Sequence, residues 1–486
     1  MMRQIMRQFF TFVFVLLNGL AFNVSAAGLP DLGDVVGIED FSPTQERQLG
    51  EEIMREVRRD PAWLDDPEVE EYINRLGRRL AAASADSGRV FEFFVVKDVM
   101  LNAFALPGGY IGVHTGLILA AQSESELAGV LAHEIGHVTQ RHIAQLIGKQ
   151  KQMSMVMLAS ILAAVAARDS RVSEAALSAG VAGATQAQLS YSRDFEREAD
   201  RLGLQTLEAA GLDVRGMAGF FERLQRATRL YENNAPVYLR THPLNTERIA
   251  DMENRVMSMR YRQVPDSPDF NYVRTRLRVQ SLPAAEALRT FAGLVEASPD
   301  DASLRYGLTF AQLRLGHLDD AVRTLDELRR RAKPSPFIAI LSGDVSMARR
   351  DTNGAINMLA AACKVFPESM SAVYALANAQ IAGGHAQDAE RGMRRALTGR
   401  SSDTRLWGLL ARANAALGKR TAQHRAQAEV HFLQGGYRAA VEQLELAHRA
   451  GDGDFYELSA ADARLREIRA RADEERRAAQ QRKNER

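Results

Sequence analysis

Four alanines, Ala287, Ala321, Ala355 and Ala389, stand 34 residues apart in the C-terminal half of the chain. A fixed period of this length restricts the fold sharply. Each period is one pair of helices that cannot bury its apolar face alone, so successive pairs must stack. Companion positions keep the same phase. Leu325, Leu359 and Met393 recur four residues after their alanines on the same helix face, with Phe291 at that place in the first unit. Thr309, Gly343 and Ala377 are correspondingly small on the paired helix. Pro299 and Pro367 follow their alanines by twelve positions, where a second helix ends, and Pro334 is one place out of phase. Generic helix hairpins are the alternative, but a shared register over four units argues against them. After Arg400 the register slips, and 432–447, with Gly435-Gly436 and Ala440, reads as an irregular or capping unit.

Upstream, His133-Glu134-Ile135-Gly136-His137 lies in a stretch whose Leu127, Val130 and Leu131 follow helical spacing. Two histidines four apart share one helix face and aim both imidazoles at one point. A glutamate beside the first can take the proton of a water that attacks a carbonyl. Ser123-Glu124-Ser125-Glu126 reads as the capping box that opens this helix. Five residues alone also arise by chance on a polar helix face, so a third ligand is needed.

The segment SYSRDFEREAD, residues 190–200, offers one. Glu196 and Asp200 share a helix face. Glu196 can be the third protein ligand, and Asp200 can accept the second ring N–H of a metal-bound histidine. Two other readings stay open here. Arg193, Asp194, Arg197 and Glu198 crowd the stretch as on a solvated charged helix. Glu198 is a rival ligand, although it points about half a turn away from Glu196.

At 486 residues the chain needs two or more domains. Residues 1–26 read as a secretory signal: Arg3 and Arg7, an apolar core over 9–22, and the small-residue site Val24-Ser25-Ala26. Its removal changes the formal charge from +1 to −1, and nothing in that balance points to nucleic acid. Export to the periplasm fits a chain whose one cysteine, Cys363, sits in an apolar helical stretch and has no partner for an intramolecular disulfide.

Ahead of the HExxH helix, 43–57 and 67–83 read as helices and 90–97 as a strand. Residues 101–106 and 110–117 flank the turn Pro107-Gly108-Gly109 and read as a hairpin. Asn102, Ala103, Phe104 and Ala105 form the candidate edge strand on which a substrate main chain is held; an ordinary half-buried hairpin is the competing reading. His114 is read as structural. The apolar run 153–167 is too short to span a membrane comfortably, and with 175–187, rich in Ala, Gly and Ser, it reads as a buried helical hairpin. A lid or membrane-touching element is the alternative for 149–190.

HEIGH followed after a long insertion by SRDFEREAD resembles the zinc endopeptidases related to HtpX and the CAAX prenyl proteases. NAFALPGG at 102–109, HEIGHVTQRH at 133–142, EREAD, and Thr241-His242-Pro243-Leu244 extend the resemblance to the beta-barrel assembly-enhancing proteases, which join such a domain to tetratricopeptide repeats. The resemblance implies one Zn2+ per chain held by His133, His137 and Glu196, catalysis by Glu134, and support from Asp200. It implies for His242 an extra, restraining metal ligand; read by itself, His242 is a turn residue before proline.

The expected protein is mainly helical: a zincin-like α+β protease domain followed by an α-solenoid of tetratricopeptide repeats. Its parts are the signal (1–26), the metalloprotease domain (27–262), a linker (263–270), the repeats (271–450) and a charged tail (451–486), read as a solvated helix that frays. The resemblance implies protein quality control at the outer membrane. The clients would be unfolded or misassembled outer-membrane proteins, and the repeats would engage the barrel-assembly machinery. The competing reading is a repeat-based chaperone or scaffold whose metal site is latent or regulatory.

Overall fold

The computed structural model describes residues 42–149, 193–229, 237–260 and 262–484. The expected signal peptide and the expected helical hairpin at 153–167 and 175–187 lie outside the described residues. The chain divides near Phe270 into two compact units.

In the first unit, α1 (Pro43–Val57) and α2 (Pro67–Ala83) precede strands β1 (Glu92–Val96), β2 (Ala103–Leu106) and β3 (Tyr110–His114). Then come α3 (Thr115–Ala120), α4 (Glu124–Thr139), α5 (His142–Lys149), α6 (Arg193–Ala209), α7 (Arg215–Arg229), α8 (Val237–Thr241) and α9 (Thr246–Ser258). The strand order is β1-β3-β2, with β1 parallel and β2 antiparallel to β3. The turn between β2 and β3 places Gly108 and Gly109 at φ 85° and 93°, a region open to glycine at little cost. Residues 115–117, expected to continue the strand, instead open α3, where Thr115 bonds back to Asp98.

Helix α4 is buried from Glu124 to Val138, its acidic residues and histidines included. Its glycines set how closely neighbours approach. A Cβ on Gly129 would lie 2.7 Å from Met217 Cα of α7, and one on Gly136 would lie 3.1 Å from Ala199 Cα of α6. Only half of the expected capping box forms. Ser123 accepts from Glu126 N–H, but the Glu126 carboxylate turns to Gln122 N–H and to Arg223. Glu124 recruits the segment read as a linker: its N–H donates to Asp266, and its carboxylate accepts from Ser267 and Tyr72. Residues 266–267 are therefore docked on the first unit rather than loose.

The repeats begin with α10 (Pro268–Ser281) and α11 (Ala284–Ala297), followed by α12 (Ala302–Leu315) and α13 (Leu318–Arg331). Three further pairs are α14 (Pro336–Ala348) with α15 (Thr352–Val365), α16 (Met370–Ala382) with α17 (Ala386–Leu397), and α18 (Thr404–Ala416) with α19 (Arg420–Leu433). The four phased alanines are fully buried, and Gly343 leaves room for Leu359 of the paired helix. The core register slips by one place after Arg400, as expected. Helix α19 starts 34 residues after α17, but Ala422 and Ala426 fill its core face and Gln423 stands at the alanine position.

Residues 432–447 are not one unit: Gln434–Gly436 separates α19 from α20 (Tyr437–Arg449). The charged tail is also not simply solvated. It forms α21 (Phe455–Asn484), whose Ala461, Leu465 and Ile468 pack on Ala440 and Leu444. Three apolar residues at helical spacing cover the last repeat, a stripe that overall tail composition hides. Ile468→Ala truncates the fully buried large residue of that stripe. It is expected to destabilise the repeat unit by about 2–4 kcal/mol, read as a lower midpoint in denaturant unfolding. Exposed Arg466→Ala is expected to change stability by less than about 0.5 kcal/mol.

Candidate metal centre

His133 and His137 lie one turn apart on α4, with their Nε2 atoms 3.0 Å from each other. The close approach allowed by Gly136 brings α6 alongside, so that Glu196 Oε1 lies 3.4 Å from His137 Nε2 and Oε2 lies 3.6 Å from His133 Nε2. His242, just after α8, places Nδ1 at 3.0 Å from Glu196 Oε1 and 3.4 Å from His133 Nε2. These four residues are buried and offer one ligand atom each, all within 4.8 Å of one another. Glu134 also faces this cluster: its Oε1 is 3.5 Å from His242 Nε2. Neither of its buried oxygens has a hydrogen-bond partner among the described residues.

An outer layer holds these groups. Asp200 Oδ1 lies 3.0 Å from His133 Nδ1. Arg248 grips Asp200 through two bonds of 2.8 Å, pairs with Glu196 Oε2 at 2.7 Å, and donates to Pro243 O at 2.7 Å. Local sequence places it: Asn245 caps α9 by accepting from Arg248 N–H, which puts the guanidinium in the first turn, over the carboxylates. Sequence reasoning missed Arg248. Its signal was the charge balance, because two acidic residues on one buried helix face require a cation.

The electrostatics follow from burial and neighbours. Burial alone would raise Glu196, but His242, His137 and Arg248 outweigh it and hold the carboxyl well below its ordinary value. Asp200 is likewise lowered, with His133 and Arg248 overcoming burial. Burial drives His137 well below the ordinary imidazole value. Burial also raises Glu134, more than His242 and His133 lower it. His242 goes the other way, since Glu196 and Glu134 overcome its burial and raise it. An ionised carboxylate beside a neutral imidazole is a ligand set ready for a cation. Two imidazoles with one carboxylate suit a divalent metal, so the residues fit the group.

The candidate edge strand resolves into two kinds of residue. His114 N–H donates to Asn102 O, so with the observed register Asn102 and Phe104 turn their backbone groups to β3. Ala103 and Ala105, both buried, turn theirs away from β3. The Ala105 N–H lies toward the Glu134 carboxylate and lowers its pKa, without closing a full hydrogen bond. One step earlier on the same edge, Leu101 O accepts from Tyr238 N–H of α8 at 3.2 Å. The Tyr238 ring packs on His242 with centroids 4.8 Å apart. His114 stands outside the cluster, 4.0 Å from Asp98, and burial lowers its pKa to about 4.

The family model for Peptidase family M48 matches residues 67–256, which contain the whole cluster, and the Tetratricopeptide repeat model matches 284–340 and 346–413. Fold and site therefore define a metalloendopeptidase with an attached repeat array. The Beta-barrel assembly-enhancing protease of Escherichia coli (strain K12) is 33% identical over 92% of this chain and 93% of its own length. The protein of that description from Yersinia pestis is 30% identical over 91% of each chain. The Mitochondrial metalloendopeptidase OMA1 of Schizosaccharomyces pombe is 32% identical over 37% of this chain and 51% of its own. The chain belongs to the beta-barrel assembly-enhancing protease family. Among the described residues no helix is long and apolar enough to cross a membrane.

Removing Arg248 strands two buried carboxylates. Arg248→Met is expected to cost the chelator-treated protein about 3–5 kcal/mol near neutral pH, measured by denaturant unfolding. Adding Asp200→Asn should recover part of that loss, because the two residues act as a pair. The sign with pH follows from the lowered carboxylates. Their stabilisation is full above the ordinary carboxylate range and is lost as pH falls through their lowered folded values. The Arg248→Met penalty should therefore shrink in acid.

Proposed function

We propose that this chain is a zinc-dependent endopeptidase of the periplasm that degrades stalled or misfolded outer-membrane β-barrel proteins and assists the assembly of competent ones. The observation that carries the proteolytic part is the meeting of three things: the His133–His137–Glu196 cluster, the Glu134 carboxylate unpartnered among the described residues, and the backbone row of Ala103 and Ala105 that points away from β3. The barrel-assembly part is supported by the names of full-length relatives, and the exported location by the composition of residues 1–26.

His133, His137 and Glu196 would hold the metal, with His242 as an additional ligand. Bound there, zinc supplies Lewis-acid chemistry, polarising the scissile carbonyl and acidifying water. Asp200, itself held by Arg248, fixes the orientation of His133. Ala103 and Ala105 align an extended peptide through main-chain bonds, which accept many sequences. Glu134 takes the proton of the attacking water and delivers it to the leaving amine. Burial raises its pKa toward working pH and so strengthens it as a base. The repeats bring clients and the barrel-assembly machinery to the protease.

Metal content and casein cleavage of the mature protein test this reading. Zinc near one per chain should survive Glu134→Gln and be lost in Glu196→Ala, with cleavage by the parent alone. A parent without zinc would sink the proposal.

The His242 contacts favour a second reading, in which the metal site is restrained and the repeats carry the biological work as a chaperone or scaffold. His242→Ala should then raise casein cleavage several-fold without loss of zinc. Unchanged cleavage would remove His242 from the site. In cells, full function of Glu134→Gln beside loss of function on deleting the repeats would replace the protease reading with the scaffold one.

A further inference from the structure

The two α4 imidazoles are backed in different ways. His133 Nδ1 meets a carboxylate, whereas His137 Nδ1 meets another imidazole, His142 Nδ1, at 2.9 Å. His142 is fully buried, and its ring is stacked on Phe195 with centroids 4.2 Å apart and planes 12° apart. Its Nε2 lies 3.3 Å from Glu198 Oε2, on a side chain that is 38% exposed. The backbone arranges this contact. After α4 ends, Arg141 takes φ 53°, a left-handed conformation costly for a residue with a Cβ. Its guanidinium is fixed by buried Glu46 at 3.0 Å. That turn lays the start of α5 back against α4, with the His142 ring edge-on to His137 at 74° between planes.

We propose that His142 is a positioning residue: it accepts the Nδ1–H of His137 and so keeps the Nε2 lone pair of His137 directed into the metal centre, with Glu198 deciding which nitrogen of His142 is free to accept. This rests on the metal-binding reading above. The assignment follows from donor and acceptor inventories. A carboxylate only accepts, so the nitrogen facing Glu198, His142 Nε2, carries the hydrogen. A neutral imidazole has one such hydrogen, so His142 Nδ1 is a lone pair. The 2.9 Å contact between the two Nδ1 atoms needs a donor, which must be His137. His137 Nε2 is then bare and faces Glu196 and His133. The reverse assignment sets the His142 Nε2 lone pair against the Glu198 carboxylate. Glu198, the rival ligand of the sequence reading, thus acts two side chains away from the metal.

Zinc affinity of the purified mature protein, measured by competition with a chromophoric chelator, tests this together with the melting temperature of the chelated protein. His142→Phe keeps a ring against Phe195 but has no acceptor. His142→Asn loses the ring and keeps an amide oxygen near the Nδ1 position. His142→Phe is expected to weaken zinc about ten- to hundredfold, with little change in the melting temperature of the chelated protein. His142→Asn is expected to stay within a few-fold of the parent in zinc affinity while melting lower. Parental affinity in His142→Phe, or equal losses in the two variants, overturns the inference and leaves His142 a packing residue. Should His142→Phe not fold, Glu198 carries the test from a partly exposed site. Glu198→Lys puts a donor against His142 Nε2 and should weaken zinc by about tenfold, while Glu198→Gln, which still accepts, should stay near the parent. Parental affinity in Glu198→Lys overturns the inference. A parent that binds no zinc overturns the metal-binding reading as well, which separates the two failures.

Discussion

The ion pair between Arg248 and its two carboxylates is the interaction on which the centre depends. One guanidinium reaches Asp200, Glu196 and the carbonyl of Pro243. It therefore links the helix that supplies the carboxylates to the loop that carries His242. Through Asp200 it also sets the ring of His133. Burying three charges is expensive, and a pairing of this kind contributes little net stability compared with an apolar core. What it contributes here is definition: Glu196 and Asp200 stay ionised and stay in place. A site whose polar atoms are fixed before any ligand arrives loses little conformational freedom when one binds.

Much of this was legible in the sequence where the relevant spacing is local. His133 and His137 meet because four residues make one helical turn, and the same arithmetic puts Glu196 and Asp200 on one face. The buried alanines of the repeats follow a period that needs no tertiary information. Arg248 and His142 were not legible, because each acts across a fold-dependent contact between elements distant in sequence or beyond a left-handed turn. An arginine in a helix's first turn reads as surface until the buried carboxylates opposite it are known. The edge strand was half legible. Hydrophobic pattern located it, but which of its residues keep free backbone groups depends on the pairing parity with β3, seen in the bond from His114 to Asn102.

The register slip after Arg400 and the misread tail share one cause. The marker alanine is replaced by Gln423, and the tail was read as solvated because it is rich in Arg and Glu. In both cases the core face is carried by neighbours one turn or less away, Ala422 and Ala426 in one and Ala461, Leu465 and Ile468 in the other. Average composition hides a narrow stripe, and stacked helices require only a narrow stripe.

The bond from Tyr238 N–H to Leu101 O has a consequence for what the centre can sense. The row that faces away from β3 runs from Ala105 through Ala103 to Leu101, about 7 Å from one such residue to the next. On the edge-strand reading proposed above, a short peptide would use Ala105 and Ala103 and leave the third place untouched. A longer extended chain would reach a carbonyl already in use by the segment that carries His242, and the two would compete for one acceptor. On that reading the reach of a bound strand, rather than its side chains, would decide whether that segment is challenged.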